Sequence, residues 1–215
     1  MKTRLLILMT GLFLSSGSFS QPIVTFHGLA GANHIFSSTT ETRIGASAKV
    51  GCGLILGDEK HIQFKPRVYV FLDRYRARYE PGRAHLNDQA GLGLDLMAGL
   101  PLGKKFSLSA GIFVSYTVLQ YNAISQQLGN GVFIEQTIDS DPQAQRWQGG
   151  GVLALSYWLG KKKRWSLDLQ FRQHASSVFK TGLSGFDIWG NPIDLYPQNS
   201  KPTFLMVGAT YCLGR

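Results

Sequence analysis

One periodicity constrains this chain more than any other feature: apolar side chains recur at every second position over stretches of ten or more residues. Ile44, Ala46, Ala48, Val50, Cys52, Leu54 and Leu56 form an unbroken apolar series, with Arg43, Gly45, Ser47, Lys49, Gly51 and Gly53 between them. In an extended chain alternate side chains point to opposite faces, so such a segment is a β-strand with one oily face and one polar or small face. The pattern returns in Ile62–Leu72, Ala90–Leu100, Phe106–Tyr116 and Trp165–Phe171. Two further segments, near 147–159 and 203–213, follow it with glycine breaks, and 23–36 forms a weaker first strand. The sum is about eight strands, each of the length a tilted strand needs to cross a bilayer.

The links between these strands alternate in length. Gly57–Lys60, Pro101–Lys105 and Gly160–Arg164 are short and rich in charge, Gly or Pro. Asp73–Asn87, Gln120–Gln145 and Ala175–Lys201 are long, and 37–42 is a shorter link on the same side. Up-and-down barrels of the outer membrane have this asymmetry, with short periplasmic turns and long external loops. The expected fold is therefore all-β, an eight-stranded antiparallel up-and-down transmembrane β-barrel. Phe106, Tyr157, Trp158, Trp165 and Tyr211 cluster near the expected periplasmic ends, as an interfacial aromatic girdle does.

Composition decides between a membrane barrel and a soluble one. Only 16% of the residues are charged, whereas soluble domains carry nearer a quarter. A soluble barrel turns its apolar face inward and its polar face to water. Here the polar face is rich in Gly and Ser with scattered charges, which suits a crowded interior better than a solvated surface. The apolar face is almost free of charge, and a Lys or Arg at mid-bilayer costs about 2–4 kcal/mol. The expected arrangement is oily side outward. A soluble periplasmic ligand-binding barrel is the alternative with the faces exchanged.

The first twenty residues carry a different signal. Lys2 and Arg4 precede an apolar run from Leu5 to Leu14, followed by the small residues Ser15 to Ser20 with Phe19 among them. This is the pattern of a cleaved secretory signal peptide, residues 1–20, with the barrel domain at 21–215 beginning on Gln21. The apolar run is too short to span a bilayer. Loss of Lys2 and Arg4 lowers the formal charge from +9 to +7. A basic exported chain has outer-membrane lipids and lipopolysaccharide as natural partners, and a protein partner at the external loops is open. Nucleic acid is not expected, since no basic-aromatic motif is present.

Cys52 and Cys212 are the only cysteines. They fall on the second and last strands, with the first strand between them in a closed barrel, a gap of roughly 10 Å that a disulfide does not bridge. Both are read as unpaired. No metal-ligand spacing, phosphate-binding glycine loop or cofactor motif is present, and none is expected to be needed.

The inward positions hold Arg43, Lys49, Lys65, Arg67, Asp95, Asp168, Arg172 and His174. An eight-stranded barrel is only just wide enough for its side chains to fill it, and buried charges must be paired. These residues are therefore read as a structural network of charges and hydrogen bonds plugging the lumen, not as the lining of a channel. The long links hold Phe133, Phe179, Phe186, Trp189 and Tyr196, which either anchor a partner or pack the loops together, and Pro192, Pro197 and Pro202 stiffen the last of them.

With that order in hand, Gly28-Leu29-Ala30-Gly31-Ala32-Asn33, Phe64-Lys65-Pro66-Arg67-Val68, Lys105–Gly111 and Val207–Tyr211 resemble the exported outer-membrane β-barrel domain proteins, a family that includes PorT-like proteins. The resemblance covers nearly all of the chain after the leader and implies a non-enzymatic barrel whose external loops serve a structural, adhesive or secretion-linked role. A second likeness is local. His174-Ala175-Ser176-Ser177, followed by Asp187 and Asp194, is similar to the His-x-Ser-Asn motif of outer-membrane lipid A deacylases, with Ser177 where that family has Asn. A Ser, a His and an acid are the parts of a nucleophilic triad. Their parity with Asp168 and Arg172 turns His174 and Ser176 toward the lumen, so no catalytic residue is assigned, and a lipid A-modifying hydrolase stands as an alternative.

Overall fold

The computed structural model describes residues 21–35, 42–58, 61–80, 83–127, 133–137, 144–180, 183–186, 192–196 and 200–213. The leader at 1–20 lies outside them, as do Trp189 and Pro197. Eleven strands are present among the described residues: β1 (Ile23–His34), β2 (Thr42–Ile55), β3 (Gln63–Glu80), β4 (Arg83–Leu102), β5 (Phe106–Gln127), β6 (Phe133–Thr137), β7 (Trp147–Leu159), β8 (Trp165–His174), β9 (Leu183–Phe186), β10 (Pro192–Tyr196) and β11 (Thr203–Leu213).

Eight of these form a closed ring in the order β1-β2-β3-β4-β5-β7-β8-β11, with β11 returning to β1. Every pairing is antiparallel between neighbours. Closure leaves the ring without a free edge along its paired length. Outside the ring, β6 continues from β5, and β9 pairs with β10 as a separate hairpin. The short turns at one end need special backbone geometry at Gly57 and Gly103, whose φ values of 104° and 71° are costly for any residue with a Cβ.

The faces are inverted relative to a soluble protein. Val50, Leu94 and Ile112 are 58%, 37% and 58% exposed, whereas Lys49 and Asp95 are 4% and 1% exposed. The same holds around the ring: Val68, Val70, Leu92, Val114, Leu153, Leu167, Leu169 and Val207 all point outward. Aromatic pairs flank this belt. Phe106 meets Tyr157 with centroids 5.0 Å apart and Trp165 meets Tyr211 at 4.8 Å toward the short-turn end. Tyr116 meets Trp147 at 4.9 Å toward the other end.

Three expectations are corrected. Trp158 does not join the girdle: it is buried inside with Ile55 and Cys212, because its odd-numbered neighbours Tyr157 and Leu159 take the outward positions. The stretch 73–87 is not a long loop, since β3 and β4 pair in register up to Glu80 opposite Arg83. Its charged outward residues hid a strand that rises past the apolar belt. The link 120–145 is likewise partly strand, carrying the end of β5 and β6. Cys52 faces outward and Cys212 inward, and both are free.

Candidate functional site

The lumen holds most of the polar residues singled out from the sequence. β3 supplies large inward side chains at successive positions, Lys65, Arg67, Tyr69, Phe71 and Asp73, all buried. Its neighbours answer with small ones. Tyr69 stands between Gly51 on β2 and Gly93 on β4 in register. A Cβ added at Gly93 would lie 2.2 Å from Tyr69 Cζ, so the ring occupies the space a side chain there would need. Large against small across the ladder lets a narrow barrel interior fill without voids.

At mid-height the charges converge. The carboxylate of Asp95 on β4 receives Arg172 Nη2 from β8 at 2.7 Å and Lys49 Nζ from β2 at 3.5 Å. The same Arg172 Nη2 donates to the Tyr69 hydroxyl, and the guanidinium carbon sits 3.9 Å from the Phe113 ring centroid. Lys49 Nζ lies 4.9 Å from the Tyr69 ring centroid. The guanidinium is stacked on a ring and paired with a carboxylate, as a buried cation requires, while its Nε, Lys49 Nζ and Asp95 Oδ2 make no hydrogen bond.

Nearer the short-turn end, Asp168 accepts hydrogen bonds from Ser166 Oγ at 3.0 Å and from Thr210 Oγ1. Lys65 Nζ donates to Ser109 Oγ at 3.0 Å and Ser107 Oγ at 3.3 Å. Arg67 is buried next to this group, in register between Gly53 and Asp95. Lys49, Asp95 and Arg172 are thus brought together, while Lys65 and Asp168 find separate hydroxyl partners. The side chain of Arg43 lies outside the described residues. Its backbone stands opposite Arg76 beyond a bulge between Arg43 and Ala46.

Sequence reasoning missed several members. Tyr69 sat on the inward parity, and its flanking glycines were the available signal. Asp73, which accepts from Ser47 Oγ, falls in the stretch the sequence presents as a loop. So does Asn87 of an amide cluster toward the end away from the short turns, where Gln148 Nε2 donates to Gln89 Oε1 at 2.9 Å and Gln89 Nε2 to Asn87 Oδ1 at 2.9 Å.

At the end away from the short turns, a segment of the last long link packs against the barrel. Val178 and Phe179 are fully buried with Leu29, Ile35, Tyr75, Ala77, Phe204 and Met206. The Phe179 ring meets Tyr75 edge-on at 5.5 Å. Backbone bonds stitch this segment to its neighbours, from Gln145 N to Val178 O at 2.8 Å and from Val178 N to Ser200 O at 3.0 Å. Phe133, Phe186 and Tyr196 lie on β6, β9 and β10, where their side chains fall outside the described residues.

The triad-like segment is not assembled for nucleophilic chemistry among the described residues. His174 is sandwiched between Phe113, edge-on at 4.8 Å, and Phe204, stacked at 5.0 Å. Ser176 Oγ instead accepts from Gly149 N at 2.9 Å. No hydrogen bond joins His174 to Ser176, and a general base must reach the proton it removes. Asp187 lies outside the described residues, as does the side chain of Asp194.

No protein-family model matches the chain, and no curated protein matches it. Among solved structures, the chain is similar to Neisserial surface protein A (NspA), with 16% identity over 90% of this chain and 98% of that one and a TM-score of 0.46. It is also similar to the translocator domain of autotransporter NalP from Neisseria meningitidis, with 11% identity over 98% of this chain and 94% of that one and a TM-score of 0.22.

Proposed function

We propose that this chain is a non-enzymatic outer-membrane protein: a barrel that crosses the bilayer, carries a plugged lumen, and presents its external loops as a structural or interaction surface. The observation that carries the reading is the inversion of its faces, with Lys49, Asp95 and Arg172 buried and the large aliphatic residues bare. On β3 the uncharged outward positions run from Ile62 at the turn to Leu72. Ten residues of strand cover about 33 Å, which at a tilt near 40° gives a belt about 25 Å tall. That height matches the apolar band of an outer-membrane barrel. A water-soluble barrel would have to leave this belt exposed at great hydrophobic cost.

The plug rests on layers. Trp158, Ile55 and Cys212 fill the short-turn end, the Arg172–Asp95–Lys49 group fills the middle, and Tyr75 with Phe179 fills the outer mouth. Export through a cleaved leader at residues 1–20 and kinship with the PorT-like proteins belong to the same proposal and rest on the sequence motifs alone. Fractionation of cells expressing the full chain tests the location. Recovery in the outer membrane, with gel migration that changes on boiling, is expected; release with the periplasmic wash overturns it. Planar-bilayer recording tests the plug, since steady unitary currents would exclude it.

A further inference from the structure

Two neighbouring turns at the short-turn end carry charge of one sign. The β4–β5 turn ends in Lys104 and Lys105, and the β7–β8 turn reads Gly160-Lys161-Lys162-Lys163-Arg164, six cations with no acid among them. The next turn round the ring, between β2 and β3, sets Asp58 and Glu59 against Lys60. The two basic turns lie side by side because β5 pairs with β7. Trp158 N donates to Lys105 O at 2.7 Å, and Lys104 and Lys163 line one small cleft between the turns. Lys104, Lys161 and Lys162 are exposed and make no ion pair among the described residues.

Their height along the barrel decides what they meet. Leu102 and Leu159, 46% and 40% exposed, are the last apolar residues of the outward wall before these turns. Lys104 and Lys161 each follow two residues on, at most about 7 Å further along the chain. The headgroup layer on either side of the hydrocarbon is about 5–8 Å thick. The cations therefore begin inside that layer rather than beyond it. Lys105 has the same placement: its ammonium turns back onto the wall, 5.8 Å from the ring centroid of Tyr157 and 3.5 Å from its hydroxyl. Tyr157 in turn packs on Phe106 in the aromatic girdle. A phenol that accepts from an ammonium keeps its own O–H to donate, so the pair offers an anion two donors at headgroup depth. A soluble acidic partner approaching along the barrel axis would find Lys105 folded away from it.

We infer that the β4–β5 and β7–β8 turns hold the headgroup of an anionic phospholipid, its phosphate between the Lys105 ammonium and the Tyr157 hydroxyl, with the neighbouring lysines supplying further positive charge. The inference rests on the reading of the chain as an outer-membrane barrel, in which the short turns face the periplasm and so the phospholipid leaflet. Each cation at such a surface contributes about a fivefold preference for anionic over neutral headgroups.

Native mass spectrometry of the full chain extracted from outer membranes tests it, with phosphatidylglycerol and phosphatidylethanolamine as competing probes and a hexaglutamate peptide as a soluble acid. Retention of phosphatidylglycerol should exceed that of phosphatidylethanolamine by about tenfold or more. Lys105→Gln with Lys161→Gln should lower the preference about fivefold or more, and Tyr157→Phe should lower it by less. Lys180→Gln with Lys201→Gln removes the same charge at the far end and should leave the preference unchanged. An equal loss from the two double variants, or hexaglutamate retained as well as phosphatidylglycerol, overturns the site. If the wild type fractionates to the outer membrane and shows no headgroup preference, only this inference fails. Absence of the wild type from the outer membrane removes the membrane reading itself, and the site with it.

Discussion

Arg172 on β8 hydrogen-bonds the hydroxyl of Tyr69 on β3, a strand four places away in either direction around the eight-stranded ring. The bond therefore spans the lumen across its diameter. It ties together residues 103 positions apart in the chain and is shared with the Asp95 carboxylate at 2.7 Å. Opposite walls of the barrel are clamped at mid-height by one guanidinium.

Removing that clamp should be costly in two distinguishable amounts. Tyr69→Phe keeps the ring and deletes one hydrogen bond to a charged donor, worth about 1.5–3 kcal/mol. Arg172→Ala strips Asp95 of its closest cation, and breaking a buried pair costs about 3–5 kcal/mol. Urea unfolding in lipid vesicles gives both values. Equal, negligible losses would mean the pair is solvated and the lumen open.

The glycines beside Tyr69 make a second test. Gly93→Ala drives a methyl into the Tyr69 ring, and overpacking of this kind costs about 1–3 kcal/mol. Gly28→Ala adds the same methyl on the outward face, where nothing lies within 4 Å. It should be neutral or slightly stabilising in the same assay.

Orientation of the faces is testable with single charges. Ile112→Arg places a cation in the middle of the outward belt and should cost about 2–4 kcal/mol of folding free energy in vesicles, whereas Leu102→Arg at the belt's edge should cost about 0–1 kcal/mol. For a barrel standing in water, both changes would be harmless, and similar small effects at the two sites would sink the membrane reading.

The buried cluster of Phe179 and Tyr75 predicts a stability loss without a chemical phenotype. Phe179→Ala removes a fully buried ring from the cluster around Tyr75 and should cost about 3–5 kcal/mol. His174→Ala and Ser176→Ala should leave the acyl pattern of cellular lipid A unchanged on overexpression. A pattern that shifts with the wild type and reverts with either variant would restore the hydrolase alternative.

Much of the fold was legible because β-structure writes its two faces into neighbouring positions. The alternation at Ile44–Leu56 and Phe106–Tyr116 is a local consequence of extended geometry, and it separates Val50 from Lys49 whatever the rest of the chain does. The inward placement of Lys65, Asp95, Asp168 and Arg172 followed from that parity. Where parity breaks, the reading broke. The irregularity opposite Ala90 and Gly91 leaves both Val118 and Leu119 exposed. Strands that rise above the apolar belt lose their oily face, so Asp73 and Asn87 look like loop residues although they sit in β3 and β4.

The order of residues along this chain determined that it forms amphipathic ribbons, roughly how many, and which side chains share a face, because those are properties of a backbone with a repeat of two. Only closure of the ring decided which residues meet across it. Arg172 finds Tyr69 and Asp95 because an eight-strand circumference brings facing walls within side-chain reach, and Phe179 finds Tyr75 because the last long link folds back onto the barrel end. Ring closure couples strands far apart in the chain, and no local repeat encodes that distance.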